Sequence, residues 1–128
     1  MKRSDPRDTA GPGDGFGESV AVSGNTVVVG ARFEDSGSTG VNSTPDEAAN
    51  NAGAAYVFVR NGATWTQQAY LKAHQVTAGD FFGGSVAVSG DTVVVGGYLE
   101  DSNTTGVNST PNEGLGNTGA AYVFVRSG

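Results

Sequence analysis

Phe82–Tyr98 reads FGGSVAVSGDTVVVGGY, and the same stretch stands 66 residues earlier as Phe16–Arg32, FGESVAVSGNTVVVGAR. In the later copy two strand-like runs, Ser85–Val88 and Thr92–Val95, flank the polar turn Ser89-Gly90-Asp91. The segment AAYVFVR, at 54–60 and 120–126, keeps the same offset. Aligned without a gap, 15–62 and 81–128 agree at roughly 34 of about 48 positions; a repeat this regular governs the fold.

Working outward, residues 1–13 are rich in Pro, Gly, Asp and Arg and are expected to be irregular. The first repeat spans 14–80. Its strands are expected at about Ser19–Val22, Thr26–Gly30, Ala54–Arg60 and Thr64–Ala73, with a tight hairpin at Asn61-Gly62. Residues 33–52, FEDSGSTGVNSTPDEAANNA, have neither helical nor strand periodicity and form a long loop. The second repeat, 81–128, carries three such strands and no counterpart of the fourth.

The valine runs 27–29 and 93–95 and the YVFV segments are apolar on both faces, as in strands covered above and below. The first strand carries small residues at Gly17, Ser19, Ala21 and Ser23, which suits crowding near an axis. Strict alternation along the fourth strand puts Trp65, Gln67, Ala69 and Leu71 on one face and Thr66, Gln68, Tyr70 and Lys72 on the other. This half-polar strand suits a sheet periphery. The architecture expected is all-β: four-stranded up-and-down antiparallel sheets stacked face to face as β-propeller blades, nearly two per chain. In such sheets alternate connections share an end. The loops 33–52 and 99–118 and the linker 74–80 therefore gather on one face, where binding groups are usually displayed.

Phe16-Gly17 with Gly30-Ala31, and Phe82-Gly83 with Gly96-Gly97, each followed by GAAYVFVR, resemble the FG-GAP repeats of integrin α-type propellers, and more closely their bacterial tandem versions. The resemblance covers about residues 14–128. It implies a non-enzymatic scaffold for adhesion or protein binding at the cell surface, or a calcium- or carbohydrate-binding lectin-like module. Two departures stand out. Arg32 and Tyr98 replace the proline of the GAP motif, and the family's DxDxDG calcium loop has shrunk to Ser-Gly-Asn at 23–25 and Ser-Gly-Asp at 89–91. These turns offer too few oxygens for calcium, which takes 6–8.

The candidate ligand-binding residues are the long-loop carboxylates Glu34, Asp35, Asp46 and Glu47, and Glu100, Asp101 and Glu113. They offer a protein or glycan partner acidic groups, and calcium is the one candidate cofactor. The competing expectation is that these carboxylates bind loop N–H groups, since Asp46 becomes Asn112 in the second copy. Asp14 and Asp80, each ahead of Phe-Gly or Phe-Phe-Gly, are expected to lock the entry to the first strand. His74 is the only histidine, no GxSxG elbow accompanies it, and no nucleophile–base pair is visible, so no catalysis is expected. The absence of cysteine removes disulfides and thiolate chemistry.

A net charge of −6, from 7 Lys+Arg against 13 Asp+Glu, leaves no basic patch for a nucleic-acid backbone. No apolar run reaches the ~20 residues of a membrane span. MKRSDPRD lacks the apolar core of a signal peptide. Nearly two blades expose apolar faces, so the propeller is expected to be completed either by self-association into a ring of even blade number or by belonging to a longer propeller.

Overall fold

The computed structural model describes residues 13–127 and contains seven strands among them. The first sheet runs β1(Ser19–Ser23), β2(Thr26–Ala31), β3(Ala54–Asn61), β4(Thr64–Leu71). The second runs β5(Phe82–Ser89), β6(Thr92–Gly97), β7(Ala120–Val125). Both are antiparallel with neighbours in sequence paired in space, β1-β2-β3-β4 and β5-β6-β7. These are two propeller blades, the second with three strands among the described residues.

Register explains why the valine runs are apolar on both faces. Val20, Val29, Tyr56 and Tyr70 lie abreast on one face, and Ala21, Val28, Val57 and Ala69 on the other. The second set packs on the next blade. Val28, Ala55, Val57 and Leu71 form one core with Phe82, Val93 and Val95, flanked by Val86, Val88, Tyr122 and Phe124. Phe82, fully buried, meets Tyr122 and Phe124 edge-on at 5.3 and 6.1 Å. Phe16 repeats this contact on Tyr56 and Phe58 at 5.4 and 6.2 Å. The Phe of each repeat is thus a wedge on its own blade, and in the second repeat it also fills the seam with the first.

The two outward blade faces are open in part. Val20 and Val22 of β1 are 64% and 68% exposed, and Val94, Val123 and Val125 on the far face of the second blade are 36%, 63% and 70% exposed. Their counterparts inside the seam, Val28 and Val57, are buried. Sequence repetition therefore makes the same residues core at one seam and surface at the free ends.

Ser19 of β1 and Gly30 of β2 are small for a definite cause. A Cβ on Gly30 would sit 2.0 Å from the Gly83 carbonyl oxygen, and Ser19 Oγ donates to that same oxygen at 2.7 Å. The blades touch backbone to backbone here.

One sequence expectation is corrected. In β4, Ala69 pairs with Val57 but Gln67 pairs with Phe58, so Gln68 is an extra residue. A bulge of one residue reverses side-chain parity beyond it. Trp65 and Gln67 therefore lie on the Tyr70 face, not with Ala69 and Leu71. Trp65, 39% exposed, lies opposite Arg60, whose guanidinium stands 5.7 Å from its ring centroid.

Candidate functional site: the long-loop end of the blades

The long loops do lie together at the ends where β2 and β6 finish and β3 and β7 begin. Most of their carboxylates point into the loops. Glu34 is fully buried; Tyr70 Oη donates to its Oε1 at 3.0 Å and Lys72 Nζ to its Oε2 at 3.0 Å. Lys72 Nζ also donates to the Gly53 carbonyl at 2.6 Å. Burial lowers the Lys72 pKa from its ordinary value, against the opposing pull of Glu34. Burial, and then the Glu34 charge, raise that of Tyr70.

Asp35 Oδ1 accepts from the Asn51 N–H at 2.7 Å. Asp46 Oδ1 accepts from Gly37 and Ala48 N–H at 2.8 and 3.0 Å, and these bonds hold its pKa below the usual value. In the second loop Asn112 Oδ1 does the same for Asn103 and Gly114, at 3.1 and 3.0 Å. Only an acceptor oxygen is required, which is why Asp and Asn exchange at this position. Asp101 Oδ1 accepts from Asn117 N–H at 2.5 Å, and buried Glu100 from Ser102 N–H at 3.0 Å. Glu47 and Glu113 are exposed, both in left-handed backbone at φ 57 and 55. Among the described residues no three His, Cys, Asp or Glu side chains converge as metal ligands.

Asp80 is buried and its Oδ2 accepts from the Thr77 N–H at 3.0 Å, bracing the linker into β5. Burial pushes its carboxyl up to about 6 and the charges of Glu113, Glu100 and Asp101 add to that, while the Thr77 bond opposes it. Asp14 is likewise buried, and its carbonyl accepts from Phe33 N–H at 3.2 Å. His74 is exposed, with its ring 5.8 Å from that of Tyr122.

A patch that sequence reasoning missed lies at this same end, beside the inner strands. Phe33 meets Phe81 edge-on at 5.5 Å, and Phe81 stacks on Tyr98 at 5.6 Å. Arg32 lies 4.5 Å over Phe33, pairs with Glu18 at 2.7 Å and donates to Tyr98 Oη at 3.3 Å. Tyr98 is 51% exposed. Phe81 sits at φ 54, where the first repeat has Gly15 at φ 70. A bulky residue in left-handed backbone is strained by about 1–2 kcal/mol. The signal was present in the sequence. Gly15/Phe81, Arg32/Tyr98 and Phe33/Leu99 are among the positions at which the two repeats differ, and five of these six residues build the patch or flank it. The two GAP-proline replacements thus touch each other across the seam.

No curated protein matches the chain significantly in sequence. The sequence model of the FG-GAP repeat matches twice, over residues 6–58 and 65–124. Both matches contain the wedge phenylalanine, the β1–β2 or β5–β6 hairpin and the YVF strand that the geometry shows as one blade. Repeats of this type form propeller-type modules that mediate protein interactions, typically in extracellular domains. With its two blades and two matches, the chain belongs to the FG-GAP repeat family.

Proposed function

We propose that the chain is a non-enzymatic propeller scaffold for adhesion or protein binding at a cell surface, and that it meets its partner at the long-loop end. The observation that carries this reading is the Arg32–Phe33–Phe81–Tyr98 patch, with Phe81 held in strained backbone. Strain retained at a surface position points to a role outside folding. Aromatic residues and arginine on a rigid support are the composition of binding hot spots. Loop carboxylates bonded to loop N–H groups supply that rigidity, and exposed Glu47 and Glu113 add an acidic rim.

The blades build a larger ring in this reading. The far face of the second blade offers the next copy the residues that the first blade offers inside the seam. Val20 and Val22 of that copy answer as Val86 and Val88 do here.

The binding test uses surface plasmon resonance on immobilised collagen, fibronectin and laminin. The chain is expected to bind at least one, and Tyr98→Ser to weaken that binding at least 10-fold with unchanged circular dichroism. Charge reversal by Glu47→Arg with Glu113→Arg shifts the on-rate and its salt dependence instead. Retention on none of the surfaces, or equal binding by Tyr98→Ser, refutes the adhesive reading.

A further inference from the structure

The hairpin joining β3 to β4 turns on two residues. Asn61 pairs with Thr64, and Gly62 and Ala63 lie between them. Gly62 is in left-handed backbone at φ 62, as the first central residue of a primed hairpin turn requires. Asn61, Gly62 and Ala63 are all exposed, and a Cβ added to Gly62 would meet no atom within 4 Å. Only the far half of β4 is held on its outer edge, where Asn42 and Gly40 bond the main chain of Tyr70, Lys72 and Ala73. Thr64–Thr66 beside the turn are exposed, so this end of the hairpin is the part free to fray.

Asn61 is the only asparagine of the chain followed by glycine. Several others are held by their side chains. Asn25 Oδ1 accepts from the Arg60 guanidinium, Asn42 Oδ1 accepts from Tyr70 N–H, and Asn112 Nδ2 donates to Asn103 Oδ1. Asn61 has no side-chain hydrogen bond among the described residues. Asp14, the one aspartate ahead of a glycine, is buried.

We propose that Asn61-Gly62 is a site of spontaneous covalent modification, at which Asn61 deamidates and rebuilds the tip of the hairpin. The Gly62 main-chain nitrogen loses its proton to solvent base and attacks Asn61 Cγ. The bond from Cγ to the side-chain nitrogen breaks, that nitrogen takes a proton from water and leaves as ammonia, and a succinimide ring remains. Glycine after the asparagine is what permits the approach, because a Cβ there would crowd the forming ring. Water then opens the ring. Attack at Cγ gives aspartate, and attack at the main-chain carbonyl carbon gives isoaspartate, with the chain running through the side chain. Either product adds one negative charge to the formal −6. Isoaspartate also adds a main-chain atom, which breaks the Asn61–Thr64 pair that closes the turn. Arg60 stays anchored, its N–H on the Asn25 carbonyl at 2.8 Å and its guanidinium on Asn25 Oδ1, so the displacement falls on Thr64 and Trp65. Trp65, the only tryptophan of the chain, lies opposite Arg60 with its ring 5.7 Å from the guanidinium, and so reports the change. The second repeat carries Ser127 at this position, which leaves the first blade as the one modified. The site shares no residue with the aromatic patch and is independent of what that patch binds.

The test holds the intact chain in mildly alkaline buffer at body temperature and follows it by mass spectrometry, with proteolytic fragments locating each change. A gain of about one dalton is expected at Asn61, at least ~10-fold faster than at any other asparagine. Asn61→Ser, the exchange the second repeat already makes, is expected to fold and to lose this gain. Anion exchange separates the products as species one charge more acidic. Trp65 emission is expected to shift in the isoaspartate species and to stay unchanged in the aspartate species. No gain at Asn61, a gain spread evenly over the asparagines, or an equal gain by Asn61→Ser overturns the proposal. Unchanged Trp65 emission in the isoaspartate species overturns the rebuilt hairpin tip.

Discussion

Lys72→Met is expected to lower the unfolding free energy by about 3–5 kcal/mol, read from urea denaturation followed by circular dichroism. The substitution keeps the length and apolar stem of the side chain but strands Glu34, fully buried, without its cation at 3.0 Å. The Gly53 carbonyl also loses its side-chain donor. Desolvating an unpaired carboxylate is the dominant cost, well above the worth of one hydrogen bond, ~1 kcal/mol. Combining it with Glu34→Gln removes that charge, and the double variant is therefore expected to recover most of the loss. Tyr70 Oη retains an acceptor in the amide oxygen. If the double variant is as unstable as the two single losses added, the pair is not the electrostatic unit described above. The interaction ties loop 33–52 to β4, so hydrogen exchange of that loop should accelerate along with the loss of stability.

Gly83→Ala and Gly17→Ala occupy the same repeat position and are expected to differ sharply. Both glycines lie in left-handed backbone, at φ 93 and 95. Alanine in that region costs about 1–2 kcal/mol at either site. Around Gly17 no atom lies within 4 Å of the added Cβ, whereas at Gly83 it would stand 2.2 Å from the Ala54 carbonyl oxygen. That oxygen belongs to the neighbouring blade, so the blades must separate around Phe82. Gly83→Ala is thus expected to lose at least ~2 kcal/mol more than Gly17→Ala, the order of one overpacked core position. Equal destabilisation of the two variants, measured by thermal melting, would show that the glycine serves its own turn and not the seam.

The strands, their order and the stacking of two blades were legible in the sequence, because Val27–Val29 and Tyr56–Val59 are apolar on both faces and repeat as a unit. Physical reasons separate this from what was not legible. The bulge at Gln68 leaves no mark on an alternating pattern, so the faces of Trp65 and Gln67 came out reversed. Glu34 looked like one more loop carboxylate. Its partner Lys72 lies 38 residues away, and only the return of β4 beside the loop brings them together. Tyr98 stands out in the sequence only as a replacement for the motif proline and Phe81 only as a neighbour of Phe82; their stacking needs the fold, and the patch is built where the repeats differ. Asp35 and Asp46 were foreseen in both roles. The geometry places them on loop N–H groups, and the binding face is argued from the aromatic patch beside them.

The proposed ring requires the open faces of the two blades to pack on further copies as their inner faces pack on each other. Multi-angle light scattering on a chromatography column at micromolar concentration measures this directly. The account predicts a closed assembly of a few chains, about three for six blades or four for eight, whose mass is a multiple of the 12.9 kDa chain. Val123→Lys, which puts a charge on the open face at a 63% exposed position, is predicted to break it without unfolding the chain. A stable 12.9 kDa species throughout that range would contradict the account.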